Sequence, residues 1–551
     1  MELTITVDQA FNKANKFLKK GDVKNAFDIY QMVLKKFPKN IRAIDAIRKI
    51  KPPVDYNIHN EIISLYEKGL RDEAISKCKE TLNIYPSDYE LYNFMGIFLY
   101  ESSQFEEAEK YYYQSLNFNS NSADIWSNLA TTQNSLEKFH EAKISGEQAL
   151  KINPIHPQAL NNYGTTLMLS GEYKKSIPLF EKSLSLNPQN YKTLNNLGNS
   201  YHKLGLNEKA VIYLKKSITL NDSNGDVFFN LASTYRVMGK FDLAFQSFKR
   251  SLELKPLNKK AFIALVELSV QLNSYEENEK DIIIFSEYNV DILSKSEFTA
   301  NKVIKRFIEN NYDATRLELN NLNSLVQSTS FASGTIVNYI EENTQAFVTA
   351  YLTFISKLLS YNKKQNLTSN SNAQKIYHLG ESHCLTFAHH SVFSNTSDYI
   401  IYPKITFGIK AWHLAQKNQN RFKSIFLNHL KNLPQGSSIM ISIGEIDCRI
   451  DEGIIKTHLK TGKSIEDLIN KTIDGYIDFV ESNVKIYKHK STYFTVPAPM
   501  PQSVDNRINK NSEKDLNALR VKVVKKFNEK LKSKVSEYKS SVIDTYSLTK
   551  N

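Results

Sequence analysis

The stretch "TLNNLGNSYHKLGLNEKAVIYLKKSI", residues 193–218, carries a glycine in its first half and an alanine in its second. Small residues recur at these two positions every 34 residues through the first half of the chain. The two series are Gly96, Ala130, Gly164, Gly198 and Ala232, and Ala74, Ala108, Ala142, Ser176, Ala210 and Ala244. A fixed period of this length indicates an array of repeats, each of them one supersecondary unit.

Each repeat is predicted to be a pair of antiparallel helices, with the small residues where the two helix axes approach most closely. Proline ends several units, because it cannot continue a helix, and Ser120 and Asp222 replace it in two others. An earlier unit, Val7 to Asn40, precedes a 14-residue insertion that contains Pro52 and Pro53. The unit-ending prolines are Pro38, Pro86, Pro154, Pro188 and Pro256. One hairpin cannot bury its apolar face alone, so the units are expected to stack.

This pattern closely resembles the tetratricopeptide repeat. "ADIWSNLATTQ" (123–133) and "VFFNLASTYRVMGKFDLAFQSFKRSLELKP" (227–256) are further good matches. The resemblance covers residues 7 to about 272, with Lys259–Gln271 as a capping helix. It implies an all-α superhelix that binds a protein or peptide on its concave face.

Asparagines recur on the first helices of these repeats, which line the concave face of such arrays. An asparagine amide both donates and accepts hydrogen bonds, so it can hold an extended peptide backbone. The other interpretation is that the residues are polar and solvated without a ligand. The candidate peptide-binding residues are Asn161, Asn162, Asn195, Asn196, Asn199 and Asn230.

The remaining bulk features predict a soluble cytoplasmic protein. The N-terminus, "MELTITVDQA", lacks the apolar core of a signal peptide. The longest apolar-rich stretch without charges, Asn343 to Ser356, is shorter than the roughly 20 residues that span a bilayer. Three cysteines, Cys78, Cys384 and Cys448, match no disulfide framework, zinc ribbon or redox pair.

A net charge of +13 raises the question of an acidic partner. Much of the excess lies between Val504 and Lys534, which holds ten basic and four acidic residues. Leu516, Val523 and Phe527 run through this segment at helical spacing, which favours a solvated basic face over a nucleic-acid or anionic-lipid patch. We therefore predict no nucleic-acid partner.

Three domains are expected. Residues 1–272 form the repeat superhelix, and residues 273–370 form a helical connector that ends in the polar linker "YNKKQNLTSNSNAQ" (361–374). The charge-rich "SYEENEKD" (274–281) marks the first boundary. Residues 371–551 form an α/β domain.

In this last domain short apolar runs alternate with helical patterns: "KIYHLG", "YIIYPKITFG", "SSIMISIGEID", "TYFTVPAP" and "SSVIDTYSL". Such alternation predicts a parallel, doubly wound sheet, in which ligands bind at the carboxyl ends of the strands. Polar residues gather at those ends, with Ser382 and His383 after the first strand and Glu445, Asp447 and Arg449 after the third. A serine at the start of a helix could act as a nucleophile, because backbone N–H groups there stabilise an oxyanion.

The "GES" at Gly380–Ser382 resembles the GDS block of the SGNH (GDSL-type) hydrolases, and "GEID" from Gly444 resembles their third block. The resemblance covers roughly residues 374–551 and implies a three-layer, flavodoxin-like fold. It makes Ser382 the nucleophile and the amides of Ser382 and Gly408 oxyanion donors, in an esterase or acyltransferase acting on an acylated glycan or lipid. The candidate catalytic residues are Ser382, His383 and Asp447, and the candidate oxyanion and substrate contacts are Gly408, Gly444, Glu445 and Arg449.

The chain departs from that family at three places. Glu381 replaces the usual Asp, and Ile446 replaces the Asn of the third block. The family's final Asp-x-x-His, which supplies the base, has no counterpart after Asp544. His378, His383, His389, His390 and His413 are the possible substitutes.

Three interpretations stay open: a working ester site, a domain that has lost catalysis or its last block, and other chemistry using Glu445, Asp447 and Arg449. In the second case the chain is a non-catalytic scaffold. Neither a cofactor nor a metal is predicted, since the histidines around Cys384 match no ligand spacing.

Overall fold

The computed structural model describes residues 6–37, 40–50, 56–272, 282–286, 292–328, 339–362, 373–393, 397–450, 452–499 and 510–549. Pro38, the Pro52–Pro53 insertion, the charge-rich segment up to residue 281 and most of the polar linker lie outside these residues. The chain divides into two compact units, Met1–Leu204 and Gly205–Asn551. The second unit thus contains the last repeats together with the connector and the sheet.

The first unit is all-helical, as the repeat pattern predicts. Its helices are α1 (Val7–Lys19), α2 (Val23–Lys36), α3 (Ile41–Ile50), α4 (Tyr56–Glu67), α5 (Arg71–Ile84), α6 (Tyr89–Glu101), α7 (Phe105–Phe118), α8 (Ala123–Ser135), α9 (Phe139–Ile152), α10 (Pro157–Leu169), α11 (Tyr173–Leu186) and α12 (Tyr191–Lys203). The side chains of Asp88, Ser122 and Asn190 cap the first helices of three repeats by accepting a backbone N–H. These caps fix where each repeat begins.

Glycines allow the two helices of a repeat to approach closely. A β-carbon on Gly96 would lie 2.6 Å from the ring of Tyr112, and one on Gly164 would lie 2.7 Å from the ring of Phe180. Both aromatic rings are buried. The 34-residue series of small residues therefore records a steric requirement of the hairpin.

The second unit begins with helices that continue the same period and then the connector helices. These are α13 (Asn207–Leu220), α14 (Gly225–Val237), α15 (Phe241–Leu254), α16 (Lys259–Gln271), α17 (Ile292–Ile308), α18 (Tyr312–Ser328) and α19 (Tyr339–Asn362). The side-chain oxygen of Gln271, at the end of α16, accepts a 3.0 Å hydrogen bond from the backbone N–H of Phe407. The last repeat is thereby joined directly to the α/β part of the chain.

A mixed six-stranded sheet follows, in the order β2-β3-β1-β4-β5-β6. Its strands are β1 (Gln374–Gly380), β2 (Ser391–Phe393), β3 (Asp398–Ile405), β4 (Ser438–Ser442), β5 (Lys490–Phe494) and β6 (Ser541–Ile543). The edge strand β2 is antiparallel to β3, and the other pairs are parallel. Each of the five predicted apolar runs contains a strand, whereas β2 has three residues and is too short to show a period.

Helices α20 (Ala411–Ala415), α21 (Arg421–Lys431), α22 (Gly453–Thr461), α23 (Ile465–Ile486), α24 (Lys510–Glu537) and α25 (Thr545–Thr549) complete the domain. Leu379 of β1 and Ile441 of β4 share one buried apolar cluster with Tyr476 of α23 and Phe527 of α24. His378, one residue before Leu379, points to the opposite face of the sheet, because successive side chains of a strand alternate.

Candidate active site at the strand ends

Strand β1 ends at Gly380, and the chain then turns into a short 3₁₀ helix, Ser382–Leu385. A β-carbon on Gly380 would lie 2.6 Å from both the carbonyl oxygen and the hydroxyl of Ser442, so glycine is required there. The carboxylate of Glu381 accepts hydrogen bonds from the backbone N–H and from the hydroxyl of Ser382. The predicted nucleophile, Ser382, is therefore hydrogen-bonded to the carboxylate of the residue that precedes it in the chain.

Glu381 is also held by a residue from outside the α/β domain. The hydroxyl of Tyr351, in the middle of α19, donates to Oε1 of Glu381 at 3.1 Å. Tyr351 is buried, and burial together with the charge of Glu381 raises its pKa well above the usual value for tyrosine. The phenol of Tyr351 is therefore the donor in this hydrogen bond.

Two histidines, His378 and His383, lie near this turn without a described hydrogen bond to Ser382. His378 is 1% exposed, and within the described residues neither of its ring nitrogens has a hydrogen-bond partner. Burial, aided by the nearby His383, lowers the pKa of His378 to about 3. Its ring is stacked on Phe494, with the ring centres 5.1 Å apart. His378 is consequently a neutral imidazole within an aromatic cluster.

At the end of β4, Gly444 has a φ of +129° and leaves no room for a side chain, because a β-carbon would lie 2.7 Å from the ring of Phe527. Glu445 follows and binds two arginines. Arg449 donates to its Oε2 from Nε at 2.9 Å, and Nη2 of Arg520, in α24, lies 3.2 Å from its Oε1. Arg520 has no motif around it, so its role could not be predicted from the sequence.

Asp447 has a different environment from the other candidates. It is completely buried, and its carboxylate accepts the backbone N–H groups of Ala411 at 2.7 Å and Trp412 at 3.1 Å. Burial raises its pKa to about 6 despite these two hydrogen bonds, which favour the ionised form. Asp447 borders a cavity of about 220 Å³ with Lys410 and His413. Asp447 therefore caps the N-terminus of α20.

Gly408 follows β3 and has a φ of +66°, in the left-handed region that favours glycine. A β-carbon there would meet only the ring of Phe422, at 3.9 Å, so the backbone angle rather than crowding accounts for the glycine. The preceding residue, Phe407, places its ring against that of Tyr351, with the ring centres 6.1 Å apart. The residue before the candidate oxyanion donor thus contacts the same tyrosine that donates to Glu381.

A cavity of about 180 Å³ opens beside the strand ends. It is bordered by His383 and Glu445 but not by Ser382 or Asp447, so the structure brings only part of the predicted set to this opening. The described lining residues are His378, His383, Thr386, Phe387, Ser442, Ile443, Glu445, Phe494, Thr495, Val496, Pro497, Thr545 and Thr549. Its aromatic wall, Phe387 and Phe494, was not singled out from the sequence, because isolated phenylalanines at strand ends and turns carry no motif.

Asparagines of the first unit form hydrogen bonds with asparagine, serine and threonine side chains of the preceding repeat. Asn128 donates to Asn93 at 3.2 Å, and Asn162 donates to the hydroxyl of Ser127 at 2.9 Å. Asn196 donates to Asn161 at 3.4 Å and to Thr165 at 3.0 Å. Each link except the last joins residues 35 apart, so the array carries a polar ladder along its first helices.

The candidate peptide-binding asparagines fall into two groups by burial. Asn161 and Asn162 are buried within this ladder. Asn195, Asn196, Asn199 and Asn230 are half-buried on α12 and α14. The amide of Asn199 points to the sulfur of Met168, at 3.8 Å.

The basic residues of α24 make ion pairs with its neighbours. Lys526 pairs with Glu466 at 3.1 Å, Lys530 with Asp474 at 2.8 Å and Lys534 with Asp478 at 3.0 Å. The apolar side of the helix is buried, including Val523, Phe527 and Leu531. Among the described residues, no helix is both long and apolar enough to cross a membrane.

Family models of the tetratricopeptide repeat match residues 11–40, 123–156, 157–190, 179–212 and 225–256. Similar solved structures include YrrB, described as a TPR protein with an unusual peptide-binding site, at 19% identity over 34% of this chain and 96% of YrrB, with a TM-score of 0.28. PilF of Pseudomonas aeruginosa is 20% identical over 39% of this chain and 98% of its own, with a TM-score of 0.33. MamA of Desulfovibrio magneticus RS-1 is 19% identical over 31% and 97%, with a TM-score of 0.28.

No curated protein sequence matches the chain. The repeat models alone, which agree with the 34-residue register and with the helical hairpins, decide the assignment. The helical hairpins in the first half of this chain are tetratricopeptide repeats.

Proposed function

We propose that the chain is a protein-interaction scaffold whose repeat array binds an extended peptide segment of its partner. The observation that carries this proposal is the run of tetratricopeptide repeats, a protein-interaction module, with asparagines in register on its first helices. The buried asparagines order the stack, and the half-buried ones, such as Asn195 and Asn199 of α12, lie beside them. Amides in that position suit a peptide backbone, which offers donors and acceptors alternately.

A random peptide library displayed on phage and selected against the full chain tests this proposal. For a selected peptide, the double variant Asn195→Ala/Asn199→Ala is expected to raise Kd at least about tenfold, equivalent to about 1.4 kcal/mol. Lys182→Ala, at an exposed position of the second helix α11, is the matched control and leaves Kd unchanged. Failure to select any peptide, or an equal effect of both variants, contradicts the proposal.

Ester chemistry at the strand ends is a second candidate function, with an acylated carbohydrate or lipid as the substrate. The order of the five parallel strands supports it: numbered along the chain, they run second, first, third, fourth, fifth, as in flavodoxin-like folds. Ser382 stands at the carboxyl end of the first of these strands, where such folds bind ligands. This is the arrangement that the resemblance to SGNH hydrolases implies.

In that reaction the Ser382 oxygen attacks the acyl carbon, its proton passes to a neighbouring base, and the carbonyl electron pair moves onto the oxygen. When the carbonyl re-forms, the ester C–O bond breaks, and the alcohol leaves with the proton from the base. Glu381 already accepts the hydrogen bond of the hydroxyl, whereas His383 borders the adjacent cavity. The N–H groups of Ser382 and Gly408 would stabilise the oxyanion. The competing interpretation is a domain that keeps the fold without the reaction, in which Glu381 simply anchors the turn.

Labelling with a serine-reactive fluorophosphonate separates the two interpretations. An ester site predicts covalent labelling of the wild type, loss of labelling in Ser382→Ala and full labelling in Ser482→Ala, an exposed serine on α23. If the wild type is not labelled, the domain is a non-catalytic part of the scaffold. Buried free thiols at Cys78, Cys384 and Cys448 support a reducing, cytoplasmic location for either function.

A further inference from the structure

His378 is an unusual residue to find inside a sheet. It lies 1% exposed in β1, in a three-ring stack with Phe387 and Phe494, where a phenylalanine would fit without any polar atom. Within the described residues both of its ring nitrogens are without hydrogen-bond partners. Burying an unpaired polar group costs folding free energy, so the imidazole calls for a partner from outside the chain.

Ser442 supplies a second observation at the same place. Its hydroxyl is also buried without a hydrogen-bond partner among the described residues, and it borders the 180 Å³ cavity together with His378. Apolar side chains that border the cavity include Phe387, Phe494 and Val496. His383, Glu445 and four threonines also border the cavity, but most of the surface that lines it is apolar. Two unsatisfied polar groups on such a wall match a ligand with an apolar body and one hydrogen-bonding group.

The charges around the cavity narrow the class of ligand. Among its described lining residues no lysine or arginine is present, and Glu445 is the only carboxylate. Glu445 is already paired with Arg449 and Arg520. An anion would therefore find no lysine or arginine among the described lining residues, and a cation would compete with two arginines for Glu445. The site favours an uncharged molecule.

We propose that this cavity binds a small uncharged, single-ring molecule whose hydroxyl group hydrogen-bonds to His378 and Ser442. A neutral imidazole offers one donor and one acceptor, and a hydroxyl can complement either of them. The size is suitable, because an apolar cavity of about 150 Å³ holds a benzene ring. This site does not require Ser382 to be a nucleophile, so it goes beyond both functions proposed above.

Fluorine NMR titration of the full chain with three matched probes tests the proposal. The probes are 4-fluorophenol, fluorobenzene and 4-fluorobenzoate, which present a hydroxyl, no polar group and an anion on the same ring. We expect 4-fluorophenol to bind about three- to tenfold more tightly than fluorobenzene, the ratio that one net hydrogen bond provides. We expect 4-fluorobenzoate to bind more weakly than either.

Two variants locate the binding. His378→Phe keeps the ring stack and removes the nitrogens, so 4-fluorophenol should lose its advantage over fluorobenzene. Trp412→Ala, at an exposed aromatic residue beside the separate cavity of Asp447, should preserve that advantage. The proposal is overturned if no probe binds, if the benzoate binds best, or if the phenol advantage survives in His378→Phe. Phosphonate labelling tests the ester site at Ser382, and probe binding tests the cavity at His378. Either proposal can therefore fail while the other holds.

Discussion

Tyr351 and Glu381 are 30 residues apart in sequence and joined by a 3.1 Å hydrogen bond. Tyr351 belongs to the connector helix α19, and Glu381 to the turn that presents Ser382. The other oxygen of Glu381 accepts the hydroxyl of Ser382, so one carboxylate links the connector to the candidate nucleophile. The connector is therefore part of the strand-end site and does more than space two domains.

Removing the hydroxyl of Tyr351 should weaken that turn. We expect Tyr351→Phe to lower the free energy of unfolding by about 1.5 to 3 kcal/mol, because a buried hydrogen bond to a charged group is lost. Urea denaturation followed by tryptophan fluorescence and circular dichroism measures the change. Tyr538→Phe is the matched control, since its hydroxyl also donates to a carboxylate, Asp478, but on the surface. An equally large loss of unfolding free energy in Tyr538→Phe would show that burial does not strengthen the hydrogen bond of Tyr351.

The asparagine ladder should stabilise the repeat array even without a peptide. In Asn162→Ala the hydroxyl of Ser127 and the amide of Gln158 lose their partner, at a cost of about 1 to 3 kcal/mol. Asn121→Ala, at an exposed position of a turn, should change the unfolding free energy by less than about 0.5 kcal/mol. The measurement is the urea midpoint of the helical signal, and equal midpoints for the two variants would show that the ladder does not contribute.

The repeat array could be predicted from sequence because steric demands recur at a fixed spacing. Gly96 and Gly164 each make room for one ring, so the period records packing directly. Strand ends could also be found, because parallel strands are short and apolar and end in polar residues. The sequence did not reveal which asparagines form hydrogen bonds within the array and which could bind a peptide. Both uses place the same residue type at the same spacing.

The contacts within the candidate site could not be predicted, because they join residues that are distant in the chain. Tyr351 and Arg520 each come from a helix with no motif and reach Glu381 and Glu445 only in the fold. Asp447 adjoins the strand-end motif but turns into the protein to cap α20. A residue's neighbours in sequence therefore did not indicate which groups it would meet.

Replacing His378 should stabilise the fold while it weakens the proposed ligand site. His378→Phe removes two unpaired buried nitrogens, so we expect an equal or higher melting temperature at pH 7. The stability advantage of His378→Phe over the wild type should grow as the pH is lowered. The pKa of His378 is about 3 in the folded chain and about 6.5 when unfolded, so the unfolded state binds more protons between these values, and stability falls as the pH is lowered.

The variant lacks this loss, so its advantage over the wild type should increase by about 1.6 kcal/mol between pH 6.5 and pH 5. Unfolding free energies from urea titrations at the two pH values give the comparison. His413 and His429 also have lowered pKa values because of burial, and their contribution cancels because both proteins contain them. An advantage that stays constant with pH would show that His378 binds protons equally in the folded and the unfolded chain, against the lowered pKa.

Asp447 should have a pH dependence of the opposite sign. Burial raises its folded pKa to about 6, above the ordinary value near 4, so the folded state binds more protons in between and stability falls as the pH rises. Asp447→Asn does not ionise. Its stability relative to the wild type should therefore improve by about 2 kcal/mol from pH 4 to pH 7.

Asp544→Asn is the control for that measurement. Lys532 and Ser547 hold the pKa of Asp544 well below its usual range, so this carboxylate stabilises the fold above its unfolded pKa and loses that contribution only in acid. The control should thus become relatively less stable, or stay unchanged, from pH 4 to pH 7, whereas Asp447→Asn becomes relatively more stable. Parallel pH profiles for the two variants would mean that the Asp447 carboxylate is ionised at pH 4, stabilised by its hydrogen bonds to Ala411 and Trp412.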